Sequence, residues 1–265
     1  MNTFYRHLVI FIFGILFGNQ GFAQETKTEN FYEQIKNYDL SVVLMTDSIF
    51  ADEEEMIKRA EILGFIGDDY QRFYIHFISV IQNQSNPYEY FAYGKTKVKE
   101  NICEFQGIIK IISAEIYKGS EIYGLDTIFY NYTQGFTICE VALYEDKKQT
   151  HTGFFKGNLR SDFLIDDKGN FRYNSIWFVA DGFSNNQFTG IWTSYKTKTS
   201  KKCNWGDYRI PDSGNFDIGA GEFSVDEKYV KNGWENYMLL WSGDYQEDSP
   251  EFQKALQKEN EKWWK

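Results

Sequence analysis

The groups of this chain that could do chemistry are few. Asp181, Asp207 and Glu222 each sit beside aromatic or glycine-rich segments, and two such carboxylates, if they converged, could serve a hydrolase as acid and base. His151 and Cys203 would form a nucleophile–base pair only within hydrogen-bond reach of each other. His151 lies in "EDKKQTHTG", which reads as a solvated hairpin turn, and "KKCNWGD" gives Cys203 no surrounding motif, so that pair is not expected. "DDKGN" and "DGFSNN" have a calcium-loop flavour but lack the spacing and terminal Glu of an EF-hand, and they read as turns. No glycine-rich phosphate loop and no G-x-S-x-G elbow occurs. No catalytic residue, metal site or cofactor is therefore expected.

Binding chemistry is better represented. The stretch "FTGIWTSYKTKTSKKCNWGDYRIP" (188–211) gathers Trp192, Trp205, Asp207, Tyr208 and Arg209. Indole and phenol rings stack on sugars or anchor a partner, and Arg and Asp fix orientation by hydrogen bonds. These five are the candidate ligand-binding residues, for a glycan, a lipid or a protein. The competing reading is that the rings are core, and it weighs most for Trp177 and Trp192. All seven Trp lie after residue 176, and Trp263 and Trp264 at the C-terminus either dock back or mark a contact surface.

The elements that must position these groups begin after an apolar run, "LVIFIFGILF" (8–17), preceded by Arg6 and followed by "GNQGFAQ". Ten apolar residues make a helix of only about 15 Å, half a bilayer core. The run reads as a signal peptide (1–23) cleaved after Ala23, with no transmembrane span after cleavage. An exported protein at the periplasm, cell surface or outside the cell is expected. The formal charge of −10 argues against nucleic acid or an anionic membrane as the main partner. Cys103, Cys139 and Cys203 allow at most one internal disulfide, of unassigned pairing.

Residues 24–70 read as an N-terminal segment with a strand at "LSVVLM" (40–45) and a possible short helix at 52–63. Residues 71–212 read as an antiparallel β-domain. "RFYIHFISVI", "YEYFAYGKTKV", "ICEFQGIIKIISAEIY" and "GFTICEVALYED" are rich in β-branched and aromatic residues and broken by turn signals; the third is long enough to need a bend, expected at Gly107. In 154–178 the bulky residues Phe155, Leu159, Phe163 and Ile165 alternate with polar ones. Folding about Lys168 would set Ile165 opposite Phe171, Phe163 opposite Tyr173 and Leu159 opposite Trp177. Folding the 188–211 stretch between Ser200 and Lys201 would set Trp192 opposite Arg209, guanidinium on indole. Residues 213–265 read as a loop and C-terminal helices, one from Ser224 to Trp241 with Gly233 as its weak point and one from Ser249, packed on the β-domain. The fold class is mainly β: an antiparallel barrel or strongly coiled sandwich with short C-terminal helices.

Two resemblances accompany these residues. "DGFSNNQFTGIWTSYKTKTSKKCNWGDYRIP", "DIGAGEFS" and "KYVKNGW" resemble an uncharacterised family of exported proteins of Bacteroidota, which implies export and no particular activity. "FTGIW" (Phe188, Gly190, Trp192) is similar to the G-x-W element of lipocalin and avidin-type barrels, where the Trp meets an Arg of a neighbouring strand. That likeness implies a ligand-holding barrel and a Trp192–Arg209 contact. Non-catalytic binding is the function expected first; the alternatives are a carboxylate-dependent hydrolase of envelope or dietary polymer, and a surface interaction or inhibitor protein.

Overall fold

The computed structural model describes residues 27–50, 55–118, 129–241, 243 and 245–265; the signal-peptide reading falls outside them. In chain order the elements are β1 (Lys27–Asn30), α1 (Tyr32–Ile35), α2 (Ser41–Met45), β2 (Ser48–Phe50), β3 (Met56–Lys58), β4 (Leu63–Ile66), β5 (Gln71–Asn83), β6 (Asn86–Val98) and β7 (Asn101–Lys118). They continue with β8 (Thr133–Glu145), β9 (Gly153–Ile165), β10 (Phe171–Tyr173), β11 (Asn185–Ser194), β12 (Ser200–Asp207), α3 (Glu227–Val230), α4 (Glu235–Trp241) and α5 (Pro250–Glu259).

Eight of these strands close into an antiparallel barrel. β4 to β9 pair successively, β9 pairs with β11, β11 with β12, and β12 returns to β4 through Cys203↔Ile66 to Gly206↔Leu63. Closure removes the free edges that a sheet this long would otherwise expose. β1 extends the β7 edge, and β10 pairs with β9. There Ile165 faces Phe171 and Phe163 faces Tyr173, as the alternation demands. The pairing stops at Tyr173, so Leu159 faces Cys139 and Phe188, while Trp177 stands 46% exposed outside the core.

Alternate side chains fill the barrel. Phe73, Phe105, Phe155, Phe163, Phe188 and Trp205 are each no more than 2% exposed, and Trp205 stacks on Phe188 at 3.6 Å. Among the described residues the inward-facing side chains are buried against one another as a packed core. Gly190 makes that stack possible: it lies opposite Gly157, and a Cβ on it would meet Phe188 Cζ at 2.4 Å and the Lys156 carbonyl at 2.5 Å. Gly190→Ala should therefore lower the unfolding free energy by about 1–3 kcal/mol through overpacking, read from the denaturant midpoint at unchanged slope. An unaltered midpoint would show that the ring does not rest on this glycine.

The ends are closed differently. At one, "LSVVLM" forms helix α2 instead of the expected strand, because Leu40, Val43 and Leu44 recur at i, i+3 and i+4 and bury together against the barrel. The Leu40 amide donates to the Tyr90 hydroxyl at 2.9 Å. At the other end Glu145, buried, accepts from the Thr96 hydroxyl (2.6 Å), the Gly153 amide (2.7 Å) and Trp192 Nε1 (3.0 Å). Burial still raises its carboxyl above the ordinary range.

Other expectations are corrected. In the described part of 52–63 the chain forms β3 and leads into β4 instead of a helix. The irregularity in the long β7 falls between Ile111 and Ser113; Gly107 is required instead by close approach, a Cβ there lying 2.1 Å from the Ala142 carbonyl. The 188–211 stretch turns earlier than expected, so Trp192 faces Lys201 and Phe155 and never meets Arg209. The three cysteines are free and buried, so none forms a disulfide. Burial pushes the Cys103 thiol up to about 11 and the Cys139 thiol up to about 12.

Beyond β12 the chain covers the outer face of β4. Leu63 and Phe65 point outward into a second core with Ile210, Phe216, Phe223, Val225 and Trp234. The expected helix 224–241 is divided by Gly233, at φ 96°, into α3 and α4, and its cap is Asp226 instead of Ser224. α5 starts as expected, with Ser249 accepting from the Phe252 amide and Pro250 in the first turn. Trp263 and Trp264 dock back on Tyr74 and His76, the latter at 3.8 Å. Among the described residues no helix is long and apolar enough to cross a membrane.

Candidate functional site

Where β12 ends, the chain must leave the barrel. Asp207 keeps its side chain inside, fully buried, and Tyr208 takes φ 64°. This left-handed conformation is rare for a bulky residue, and the Arg209 amide closes the tight turn by donating to the Asp207 carbonyl at 2.7 Å. Gln187 Nε2 holds the turn from below through the Arg209 carbonyl at 2.8 Å. Tyr208 then meets Phe178 and Phe183 with ring centres 5.4 and 5.1 Å away. Two of the five candidate residues, Tyr208 and Arg209, so reach the wall of a cleft of about 630 Å3 outside the barrel. That volume lies within the range of small-molecule sites.

The cleft is assembled from distant segments. Lys58 to Glu61 contribute one part of the lining, Phe178 to Asp181 with Phe183 another, and Gly221 to Phe223 a third. Tyr237, Leu240 and Trp241 of α4, Leu256 and Glu259 of α5, and Arg72 of β5 also line it. Val179 and Trp241 are 83% and 61% exposed, so the lining carries apolar groups that nothing in the described chain covers. A second cavity, of about 520 Å3, shares residues 58–61 and reaches His76 and Trp264. Burial lowers the His76 imidazole below its ordinary value.

The other three candidate residues lie elsewhere. Trp205 is core, with no face toward solvent. Trp192 is at the Glu145 end of the barrel, bound through its ring nitrogen. Asp207 sits within the barrel wall, where its Oδ2 accepts from Asn186 Nδ2 (2.8 Å) and the Tyr173 hydroxyl (3.1 Å) and lies 3.5 Å from Arg59 Nη1. Its Oδ1 and the Asn186 Oδ1 have no donor among the described residues. Burial raises the Asp207 carboxyl above the ordinary range, although Arg59 and the two hydrogen bonds pull it down. Arg59 also donates twice to the Leu44 carbonyl at 3.2 Å, which ties residues 58–61 to the α2 cap.

Arg209 lines the cleft with its donors already engaged. It binds Asp217 Oδ2 through Nε and Nη2 (2.9 and 2.7 Å) and the carbonyls of Gly219 and Gly221. The Gly182 amide also donates to the Gly221 carbonyl at 2.7 Å. This places Asp181 against the 219–222 loop, a Cβ on Gly221 falling 2.7 Å from Asp181 Oδ1. Asp181 and Glu222, two of the three sequence-level carboxylate candidates, thus share the cleft, and Asp207 does not. Glu61 joins them; the partial burial of its carboxyl raises it above the ordinary range against the pull of Lys58 and Arg59. Burial pushes the Tyr208 hydroxyl up to about 12.

The residues that sequence reasoning missed here are Arg59, Glu61, Phe178, Phe183, Tyr237 and Trp241. Only Trp241 carried a local signal, as the aromatic that ends the helix expected over 224–241. The rest become neighbours through the barrel closure and the folding-back of the C-terminus. Among the described residues no group of three His, Cys, Asp or Glu is placed to hold a metal ion. Compared with known proteins, the chain matches no family model, no curated protein and no solved structure.

Proposed function

We propose that this is an exported, non-catalytic binding protein that takes a small ligand in the cleft between residues 58–61, the 178–183 loop and helices α4 and α5. One observation carries the reading: side chains fill the barrel, while an open cleft of about 630 Å3 outside it carries exposed apolar residues in its lining. Tyr208, Phe178, Phe183, Tyr237 and Trp241 supply flat apolar surface, and Arg209 shapes the loop beside them. A hydrolase would draw on the same cleft, with Asp181 and Glu222 as its carboxylates. It requires turnover that Asp181→Asn and Glu222→Gln abolish.

A thermal-shift screen of residues 24–265 against glycans, lipids and metals tests the proposal, since a ligand that binds the folded state raises the melting temperature by mass action. Trp241 is exposed, so Trp241→Ala should leave the unliganded melting temperature unchanged and weaken the hit about tenfold or more. A hit equally strong in Trp241→Ala would place binding elsewhere.

A further inference from the structure

The charges around the cleft do not balance. Its three arginines are each neutralised within the protein: Arg59 by Asp207 (3.5 Å), Arg72 by Glu259 (2.6 Å) and Arg209 by Asp217 (2.7 Å). Glu61, Asp181 and Glu222 also line it, and none of them forms an ion pair with a described residue. Among the described lining residues, the one cation outside an ion pair is Lys58, which lies close enough to pull on Glu61. Counted together with Asp207 and Asp217, the carboxylates behind the lining that pair Arg59 and Arg209, the cleft therefore carries a net charge of about minus two, and low-dielectric walls make it felt more strongly than on an open surface. The carboxylates are dispersed among aromatic rings and do not converge into a metal-binding group. Dispersed negative charge beside ring faces suits an ammonium or other organic cation, which rings also attract through their quadrupoles; it opposes an anionic ligand.

Resting on the reading of this cleft as a binding site, we propose that it takes a small organic cation, an amine borne on an apolar, ring-containing body. The probes are tryptamine, its alcohol analogue tryptophol and its acid analogue indole-3-acetate, which share a ring and differ in charge. They are titrated by calorimetry or NMR into residues 24–265 at low ionic strength. Tryptamine should bind about tenfold or more tighter than tryptophol, and indole-3-acetate more weakly than either. The tryptamine advantage should shrink as salt rises from about 0.05 to about 0.5 M.

The double variant Asp181→Asn/Glu222→Gln, both sites being exposed, should weaken tryptamine about five- to tenfold and leave tryptophol unchanged. Trp241→Ala should weaken both. Equal affinity for amine and alcohol, or preference for the acid, would overturn the charge inference and leave the cleft standing as a site. Absence of binding by all three probes, or binding indifferent to Trp241→Ala, would overturn the cleft itself and the inference with it.

Discussion

Arg59→Met should destabilise the protein by about 3–5 kcal/mol, because it leaves the fully buried Asp207 carboxylate without its cation. Asp207→Asn should cost less. The amide oxygen still accepts from Tyr173 and Asn186, and Arg59 keeps its two bonds to the Leu44 carbonyl. The double variant should match Asp207→Asn more closely than the sum of the singles, a coupling that a double-mutant cycle measures directly.

The pH dependence follows from the sign of the shift. Burial already sets the folded-state value of Asp207 above its ordinary one, and removing Arg59 removes a pull downward. A carboxyl raised on folding binds its proton more tightly in the native state, so stability is lost as pH rises through the folded value and regained as it falls toward the unfolded one. The Arg59→Met deficit should thus be largest near neutrality and narrow in acid, with no such narrowing in an Asp207→Asn background. A deficit under about 1 kcal/mol, or one that does not change with pH, would mean that the Asn186 and Tyr173 hydrogen bonds suffice without the cation.

How much of this was legible depends on the kind of information each feature needs. The period of two fixes which face of a strand is buried, and the 155–165 arm shows it: Phe155, Leu159, Phe163 and Ile165 all point inward. Where the turn was tightly specified, as in "DDKGN", the partners were legible too. In the second hairpin Phe188, Trp192 and Trp205 were correctly given one face, but the polar run from Thr197 to Lys202 offered several even-numbered registers that preserve that face. The structure uses the one that stacks Phe188 on Trp205. Face is a local property, whereas partner choice is settled by packing across the barrel. The i, i+3, i+4 spacing of Leu40, Val43 and Leu44 was present in the sequence, yet the β-branched pair Val42–Val43 masked it. The cleft had no local signature, since Arg59, Phe183 and Tyr237 meet only after β12 has closed on β4.

Both sides of that cleft depend on buried ion pairs, and the second pair governs the C-terminal layer. Arg72 donates to Glu259 through both terminal nitrogens, at 2.9 and 2.6 Å, and lies over Tyr74, Trp234 and Tyr237 at 4.6, 4.7 and 5.5 Å. Its backbone amide donates to the Asn232 carbonyl, so the start of β5 and the α3–α4 turn are joined at one residue. Arg72→Ala should cost about 3–5 kcal/mol, for it strands Glu259 and uncovers three rings. Arg72→Lys should recover only part, because an ammonium cannot reproduce the two-pronged fork or its stacking. Glu259→Gln should cost least, since the guanidinium stays between the rings. The barrel closes through strands alone, so the damage should concentrate in α4 and α5: amide exchange and proteolysis should accelerate over 224–265 before β5 to β9 lose protection. Tyr237, Leu240, Trp241 and Leu256 leave the cleft with those helices, and ligand binding should fall in step with their protection. An Arg72→Ala protein whose C-terminal layer stays protected would show that the second core, without the ion pair, holds the helices. One that loses barrel and helices together would show that the layer is part of a single cooperative unit with the strands.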